Sequence, residues 1–137
     1  MKRCLYAGSL SPPEETVPFL AARGIEFTNN PYGRALTEDD LCTLVKDFDG
    51  VIAGPEPYTA KVMDAGPHLK IIARTGVGYD KVDVVAATKR RIYVTWTPIP
   101  EVAYAMAEQT FALILASVKR IPYLNGAVRA GRNPAAG

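Results

Sequence analysis

The chain has 137 residues, a net charge of +2 at neutral pH and a hydrophobic fraction of 48%. This length fits one domain of common size, and the apolar fraction is sufficient for a packed core. Its basic residues are spread among apolar positions, which argues against a nucleic-acid partner, and its most apolar run, residues 111–118, is shorter than the roughly 20 residues of a membrane span.

Short apolar runs alternate with helical patterns along the first hundred residues. Helix signals are clearest at residues 36–50, where Thr37 precedes a run of acidic residues. This alternation predicts an α/β fold: a flavodoxin-like open parallel sheet, strand order 2-1-3-4-5, with helices on both faces. The strands are predicted at residues 3–8, 25–30, 50–54, 69–76 and 92–98, and the helices at residues 11–24, 36–50, 58–67 and 82–91.

Beyond residue 100 the pattern becomes helical only. Residues 101–120 form one long helical pattern that is apolar on nearly all sides from Phe111 to Val118, and Pro122 opens a second helix. A helix without a polar face is expected to be buried, and a five-stranded domain has no obvious place for both helices. We therefore expect a sheet domain at residues 1–100, crossover helices at residues 101–137 with a linker-like end, and pairing with another copy through these helices.

The stretch "IIARTGVGYDKVD", residues 71–83, begins like a dinucleotide-binding glycine loop and then departs from it. The third glycine of that motif is replaced by Lys81, so the stretch is not expected to hold a pyrophosphate. Gly76 and Gly78 are expected to allow a backbone geometry that side chains would forbid. The turn lies at the carboxyl edge of the predicted sheet, where ligands of such folds bind.

Three segments carry a resemblance to a known family: "LKIIARTGVGYDKVDVVAATKRRIYVTWTP", "MAEQTFALILASVKRIP" and "AVRAGR". Together they resemble the D-isomer-specific 2-hydroxyacid dehydrogenases, particularly the phosphoglycerate dehydrogenase type. The resemblance implies hydride transfer between a 2-hydroxy acid and its 2-oxo acid with NAD or NADP, in the cytoplasm. It also implies that the coenzyme domain and the catalytic residues follow Gly137, so that this chain alone is inactive, holds no coenzyme tightly and contains neither a catalytic residue nor a metal site.

The resemblance also assigns site residues. Gly76, Val77 and Gly78 would offer backbone N–H groups to the substrate carboxylate as a small anion nest, and Val77 would also touch the nicotinamide. Met106 would line the nicotinamide pocket, with a core methionine as the alternative. Gly54 and Pro55 stand where phosphoglycerate dehydrogenases commonly carry an arginine; they are assigned to the substrate site, and the identity of the substrate stays open.

Other interpretations remain open from the residues alone. The glycine turn could be an ordinary strand-to-helix connection with Asp80 or Asp83 capping the next helix. His68 is expected at the surface, and Cys4 and Cys42 as free buried thiols. The chain could also be a stand-alone flavodoxin-like module that binds a small ligand or regulates, or an interaction module that associates through its C-terminal helices.

Overall fold

Five parallel strands form one sheet in the computed structural model, which describes residues 1–133. The order along the sheet is β2-β1-β3-β4-β5, and each neighbouring pair is parallel. The predicted fold class and strand order are confirmed, although each strand is shorter than its predicted range. The bounds are β1 Lys2–Tyr6, β2 Ile25–Asn29, β3 Gly50–Ala53, β4 Ile71–Arg74 and β5 Tyr93–Thr95.

Four short helices connect these strands: α1 Thr16–Ala21, α2 Glu38–Leu44, α3 Ala60–Ala65 and α4 Val84–Lys89. A single 3₁₀ turn, Val45–Asp47, extends α2. The first helix begins at Thr16 rather than at residue 11, because consecutive prolines at positions 12 and 13 disfavour a helical conformation before them. The chain then leaves α1 through Gly24, whose φ of 69° is in the left-handed region that favours glycine.

The predicted cap at Thr37 is present and reciprocal. The Thr37 hydroxyl accepts a hydrogen bond from the N–H of Asp40 at 3.2 Å, and the Asp40 carboxylate accepts one from the N–H of Thr37 at 2.8 Å. Arg34 lies 2.6 Å from the same carboxylate. The hydrogen bond that Arg34 donates to Asp40 is the largest of the interactions that hold the pKa of Asp40 well below its usual range. Helix α2 therefore starts at a position that the local sequence dictates.

Replacing Thr37 with alanine is expected to lower the free energy of unfolding by about 1 kcal/mol, because the N–H of Asp40 loses its acceptor. Urea denaturation followed by circular dichroism measures the change. Thr43→Ala is the matched control, because Thr43 lies in the same helix and its hydroxyl only donates to the carbonyl of Asp39. An equal loss in both variants would contradict the role assigned to the cap.

One face of the sheet carries the hydrophobic core. Leu5, Val51 and Ile72 are at most 1% exposed and point to the same side, where helices α2, α3 and α4 pack. The helices contribute further core side chains: Leu41, Val45, Val62, Met63, Ala86 and Ala87. This packing fixes the sheet register, and with it the positions of the loops that follow β3 and β4.

The structure divides the chain into two compact units, Met1–Pro98 and a second that begins at Ile99. The second unit contains α5 Pro100–Val118 and α6 Ile121–Arg129, joined at Arg120, whose φ of 53° is left-handed. No helix within residues 1–133 has both the length and the hydrophobicity that crossing a bilayer needs. Part of the predicted linker-like end, residues 134–137, lies outside the described residues.

The expected burial of residues 111–118 is not provided by residues 1–133 of the chain itself. Helix α5 buries none of its residues, and Phe111 and Val118 are 66% and 71% exposed. The physical reason is that α5 is apolar around much of its circumference, whereas its own unit offers it only α6 as a neighbour. The prediction that a second copy covers α5 remains a prediction.

Candidate functional site

The loop after β4 is attached to the strands on both sides of it. The N–H of Thr75 donates to the carbonyl of Ala53 at 3.0 Å, at the end of β3. The N–H of Thr97 donates to the carbonyl of Gly76 at 3.2 Å, just beyond β5. Both bonds continue the sheet, so this loop stands at the carboxyl edge, where ligands of open parallel sheets bind.

Six successive backbone donors of this loop, at residues 76–81, have no acceptor within residues 1–133, and the substrate loop predicted from the sequence contains the first three of them. The N–H groups of Gly76, Val77 and Gly78 donate to no group within residues 1–133. Backbone N–H groups away from helices and sheets are normally paired with protein or water, and successive ones hold an anion where the turn points them to one place. The loop therefore has backbone donors without a protein partner in the segment that sequence analysis assigned to substrate binding.

The expected reason for the two glycines is wrong. Neither Gly76 nor Gly78 has a φ in the left-handed region, so neither position requires glycine for its backbone conformation. A Cβ at Gly76 would lie 2.9 Å from Nη1 of Arg74, at the end of a flexible side chain. At Gly78 a Cβ would meet only the Asp80 carboxylate, at 3.3 Å. The Arg74 guanidinium therefore lies against Gly76, and Gly78 leaves the loop surface open.

Gly54 and Pro55 stand beside this loop. Ala53 pairs with Arg74 in the parallel register, so the residues that follow β3 and β4 share one edge of the sheet. Gly54 is buried, and a Cβ there would lie 2.8 Å from Oε1 of Glu56, whereas Pro55 is exposed. The structure thus brings together the predicted substrate-site residues of both loops, and Val77 among them is 42% exposed.

Met106 lies in the second unit, on α5, and is 63% exposed. The alternative of a core methionine is therefore not what the structure shows. Its assignment to a nicotinamide pocket stays a prediction.

Three other predicted residues are placed as follows. His68 is exposed, as expected, in the turn before β4. Cys4 and Cys42 are unpaired, but both are half-buried rather than buried, because Cys4 lies on the less covered face of the sheet and Cys42 on the side of α2. Asp83, one of the two candidate caps, accepts a hydrogen bond from the N–H of Ala86 at 2.8 Å and starts α4.

No group of three or more His, Cys, Asp or Glu side chains within residues 1–133 is arranged to hold a metal ion.

Sequence analysis missed a polar cluster between the two loops, made of Glu56, Tyr58 and Arg74. Glu56 is 3% exposed and Tyr58 is fully buried, and neither Oε2 of Glu56 nor the Tyr58 hydroxyl has a hydrogen-bond partner. Arg74 is half-buried, and its Nη1 donates to the carbonyl of Ala53 at 3.4 Å. The sequence shows an acidic residue in the loop "AGPEPYT", at the predicted carboxyl edge, but it gives no sign that this residue is buried.

The pKa values of this cluster reflect its burial. Burial raises the pKa of the Glu56 carboxyl, and the backbone N–H groups of Glu56 and Gly54 and the charge of Arg74 oppose the rise. Burial also raises the pKa of the Tyr58 hydroxyl well above its usual range, and the charge of Glu56 adds to that rise. The Tyr58 backbone is fixed as well: its N–H donates to Lys81 at 2.7 Å and its carbonyl accepts from Asp83 at 2.9 Å.

An apolar groove of about 400 Å³ lies elsewhere, on the sheet face that α2, α3 and α4 leave uncovered. Its lining includes Lys2, Gly50 and Ile71, which begin their strands. The groove therefore belongs to the amino-end side of the sheet, and it is not part of the candidate site.

Comparisons with known proteins point to one family. The model of the D-isomer specific 2-hydroxyacid dehydrogenase catalytic domain matches residues 5–120. A glyoxylate reductase of Korarchaeum cryptofilum is 42% identical over 89 residues, which are 64% of this chain and 26% of that protein. A D-3-phosphoglycerate dehydrogenase of Synechocystis is 36% identical over 95 residues, 69% of this chain and 17% of that protein. The chain thus spans less than a third of the length of these relatives.

Solved structures also match this chain over most of its length. The TT0316 protein of Thermus thermophilus has 32% sequence identity and a TM-score of 0.78, over 94% of this chain and 40% of that one. A 3-phosphoglycerate dehydrogenase of Entamoeba histolytica with bound NAD+ has 27% identity and a TM-score of 0.61, over 70% of this chain and 32% of that one. The family match covers most of the chain and includes the strand-to-loop segment of the candidate site, and the chain belongs to the D-isomer specific 2-hydroxyacid dehydrogenase family.

Proposed function

We propose that this chain supplies the substrate-carboxylate loop of an NAD-dependent dehydrogenase that interconverts a 2-hydroxy acid and its 2-oxo acid. The observation that carries the proposal is the run of unpaired N–H groups at Gly76, Val77 and Gly78. These donors stand at the carboxyl edge of a parallel sheet, with the Arg74 guanidinium against Gly76. A carboxylate held there receives several charge-assisted hydrogen bonds.

The chemistry of this segment is binding rather than proton transfer. The only histidine, His68, is exposed in a turn before β4, at the opposite end of that strand from the loop. Glu56 is buried beside the loop, but it has no neighbouring base with which to form an acid-base pair within residues 1–133. The proposal therefore assigns no catalytic residue to this chain and expects no hydride transfer from the 137-residue chain alone.

The coenzyme and the partner are further parts of the proposal. Family membership supports NAD or NADP as the coenzyme, and Val77 and Met106 are the residues we assign to its nicotinamide side. Both side chains are exposed, at 42% and 63%, so both are accessible to a ligand. The exposed apolar side chains of α5 support a homodimer formed through the C-terminal helices.

Titration of the isotope-labelled chain with D-glycerate, a 2-hydroxy acid, tests the carboxylate loop. The largest changes in amide chemical shift are expected at Gly76, Val77 and Gly78. Gly24 and Gly33, which lie in other turns, serve as internal controls and should not move. Shifts distributed over the whole protein, or no shift in this loop, would contradict the proposed function.

A valine at Gly78 should weaken D-glycerate binding about tenfold, since its branched side chain would stand over the unpaired N–H groups. Folding should be little affected, because the Cβ meets only the mobile end of Asp80 and the φ at this position is not left-handed. Gly126→Val is the matched control, since a Cβ there has nothing within 4 Å. Unchanged D-glycerate affinity in the folded Gly78 variant would show that the loop is only a turn.

A further inference from the structure

The carboxyl group of Glu56 lies directly beneath the end of β3. A Cβ added to Gly54 would be 2.8 Å from Oε1, 2.9 Å from Oε2 and 3.2 Å from the carboxyl carbon, so the carboxyl group packs directly against the backbone of Gly54. Glu56 is 3% exposed, and its Oε2 has no hydrogen-bond partner within residues 1–133. A buried carboxyl group with an unpaired oxygen is costly, and its retention calls for an explanation beyond folding.

Arg74 occupies the corresponding position at the end of β4. Its guanidinium lies against Gly76, with Nη1 and Nη2 at 2.9 and 3.0 Å from the place of a Cβ. Arg74 makes no ion pair at 4 Å or less with any carboxylate in residues 1–133, although its charge acts on both Glu56 and Tyr58. Glu56 and Arg74 thus pack against Gly54 and Gly76, and their charges interact across the edge of the sheet without forming a salt bridge.

From this arrangement we propose that Glu56 is a specificity-determining residue of the anion loop, selecting acids with a single negative charge over acids that also carry a phosphate. The inference rests on the proposed function, because it assumes that the loop holds the substrate carboxylate. The ionised carboxylate of Glu56 offsets part of the positive charge that Arg74 brings to this edge. The positive charge that is left is sufficient to attract one carboxylate to the N–H groups of Gly76, Val77 and Gly78.

A phosphate is disfavoured for a reason of charge. It carries between one and a half and two negative charges near neutral pH, so a fixed carboxylate repels it more strongly than it repels a second carboxylate. Because Glu56 is buried, solvent screens its charge less than that of a surface acid. The loop after β3 carries no basic side chain at residues 54–58 to compensate. The buried acid and the absence of a basic residue in its loop act in the same direction.

The test compares D-glycerate with 3-phospho-D-glycerate, which differ only in the phosphate. Dissociation constants for the 137-residue chain are measured from the amide shifts of Gly76 to Gly78 over a series of increasing pH values, because burial raises the pKa of Glu56 and the repulsion requires its ionised form. The unmodified chain should bind D-glycerate more tightly. Glu56→Gln keeps the volume of the side chain and removes its charge, and it should lower the ratio of the two dissociation constants about fivefold in favour of the phosphate.

Asp80→Asn is the matched control. Asp80 also lies close to the loop, 3.3 Å from the place of a Cβ on Gly78, but its side chain is exposed. Removing this screened charge should change the ratio less than about twofold. An equal change in both variants would overturn the proposal, because any nearby carboxylate would then produce the effect.

The remaining outcomes separate the two proposals. An unchanged ratio in a folded Glu56→Gln chain that still binds D-glycerate would overturn the role of Glu56 and leave the carboxylate loop standing. Preferential binding of the phosphorylated acid by the unmodified chain would overturn the role of Glu56 without any variant. Absence of loop shifts with both acids would overturn the proposed function, and the role of Glu56 with it.

Discussion

Replacing Tyr58 with alanine should lower the free energy of unfolding by about 3–5 kcal/mol, the range for removing a large buried aromatic side chain. Tyr58 is the largest of the fully buried side chains, with none of its surface exposed. Its backbone also links the loop after β3 to the segment before α4, through Lys81 and Asp83. Urea denaturation of the variant and the unmodified chain gives the difference directly.

Tyr58→Phe is the informative control. The Tyr58 hydroxyl is buried without a partner in residues 1–133, and leaving such a group unpaired costs about 1–3 kcal/mol. Phenylalanine should therefore unfold at an equal or higher urea concentration, whereas alanine leaves a cavity. A loss of more than about 1 kcal/mol in the phenylalanine variant would show that the hydroxyl is hydrogen-bonded, for example through a buried water.

The sheet could be predicted because parallel strands carry strong local signals. Val51 and Ile72 lie in short apolar runs that suit burial between a sheet and its helices, and turn residues separate those runs. Right-handed crossovers then leave few possible strand orders, and the flavodoxin-like one is observed. Thr37 is a similar case, since a cap is decided by residues within one turn of the helix.

The position of the glycine loop in the fold was predicted, but the backbone geometry of its glycines was not. Gly76 and Gly78 follow β4 at the carboxyl edge of the sheet, as expected, yet their φ values are not left-handed. Gly76 instead lies against the guanidinium of Arg74, a residue two positions earlier whose side-chain direction follows from the register of β4 against β3. No local pattern in the sequence encodes that contact.

Glu56 was missed for a related reason. An acidic residue between two prolines in a loop is typically solvated, and its sequence neighbours give no sign that it is buried. Burial follows from tertiary packing: the loop folds over the end of β3, and the backbone of Tyr58 pairs with the segment around Val82. Such polar groups are found only once the register of the strands is known.

For helix α5, the sequence predicted the apolar character of the helix but not which part of the protein would cover it. Its apolar character was evident from the sequence, and burial was expected from it. Within residues 1–133 the helix stays exposed on all sides, and residues 111, 114, 115 and 118 form one apolar stripe along it, because they recur at the three- and four-residue spacing of one helix face. These side chains, Phe111, Ile114, Leu115 and Val118, are between 51% and 71% exposed. Contiguous apolar surface of this kind marks an interaction site.

We expect the 137-residue chain to self-associate at micromolar concentration through this stripe, and Ile114→Glu combined with Leu115→Glu to weaken that association about 100-fold or more. Each substitution places a carboxylate at the centre of the stripe, where association would strip it of water without offering a partner charge. Light scattering and sedimentation measure the oligomeric state, and circular dichroism checks that the sheet is intact.

The matched control adds the same two charges to α5 at positions that are already polar and exposed, Gln109→Glu with Ser117→Glu. If association depends on the stripe, this control should stay associated, because the net charge falls equally in both variants, from +2 by two units, and only one of them alters the apolar face. Dissociation of both would show that a carboxylate added anywhere on α5 is sufficient, and the role assigned to the stripe would be wrong. A monodisperse monomer of the unmodified chain would show that the exposed stripe has no partner in a second copy, and the proposed homodimer would then be wrong.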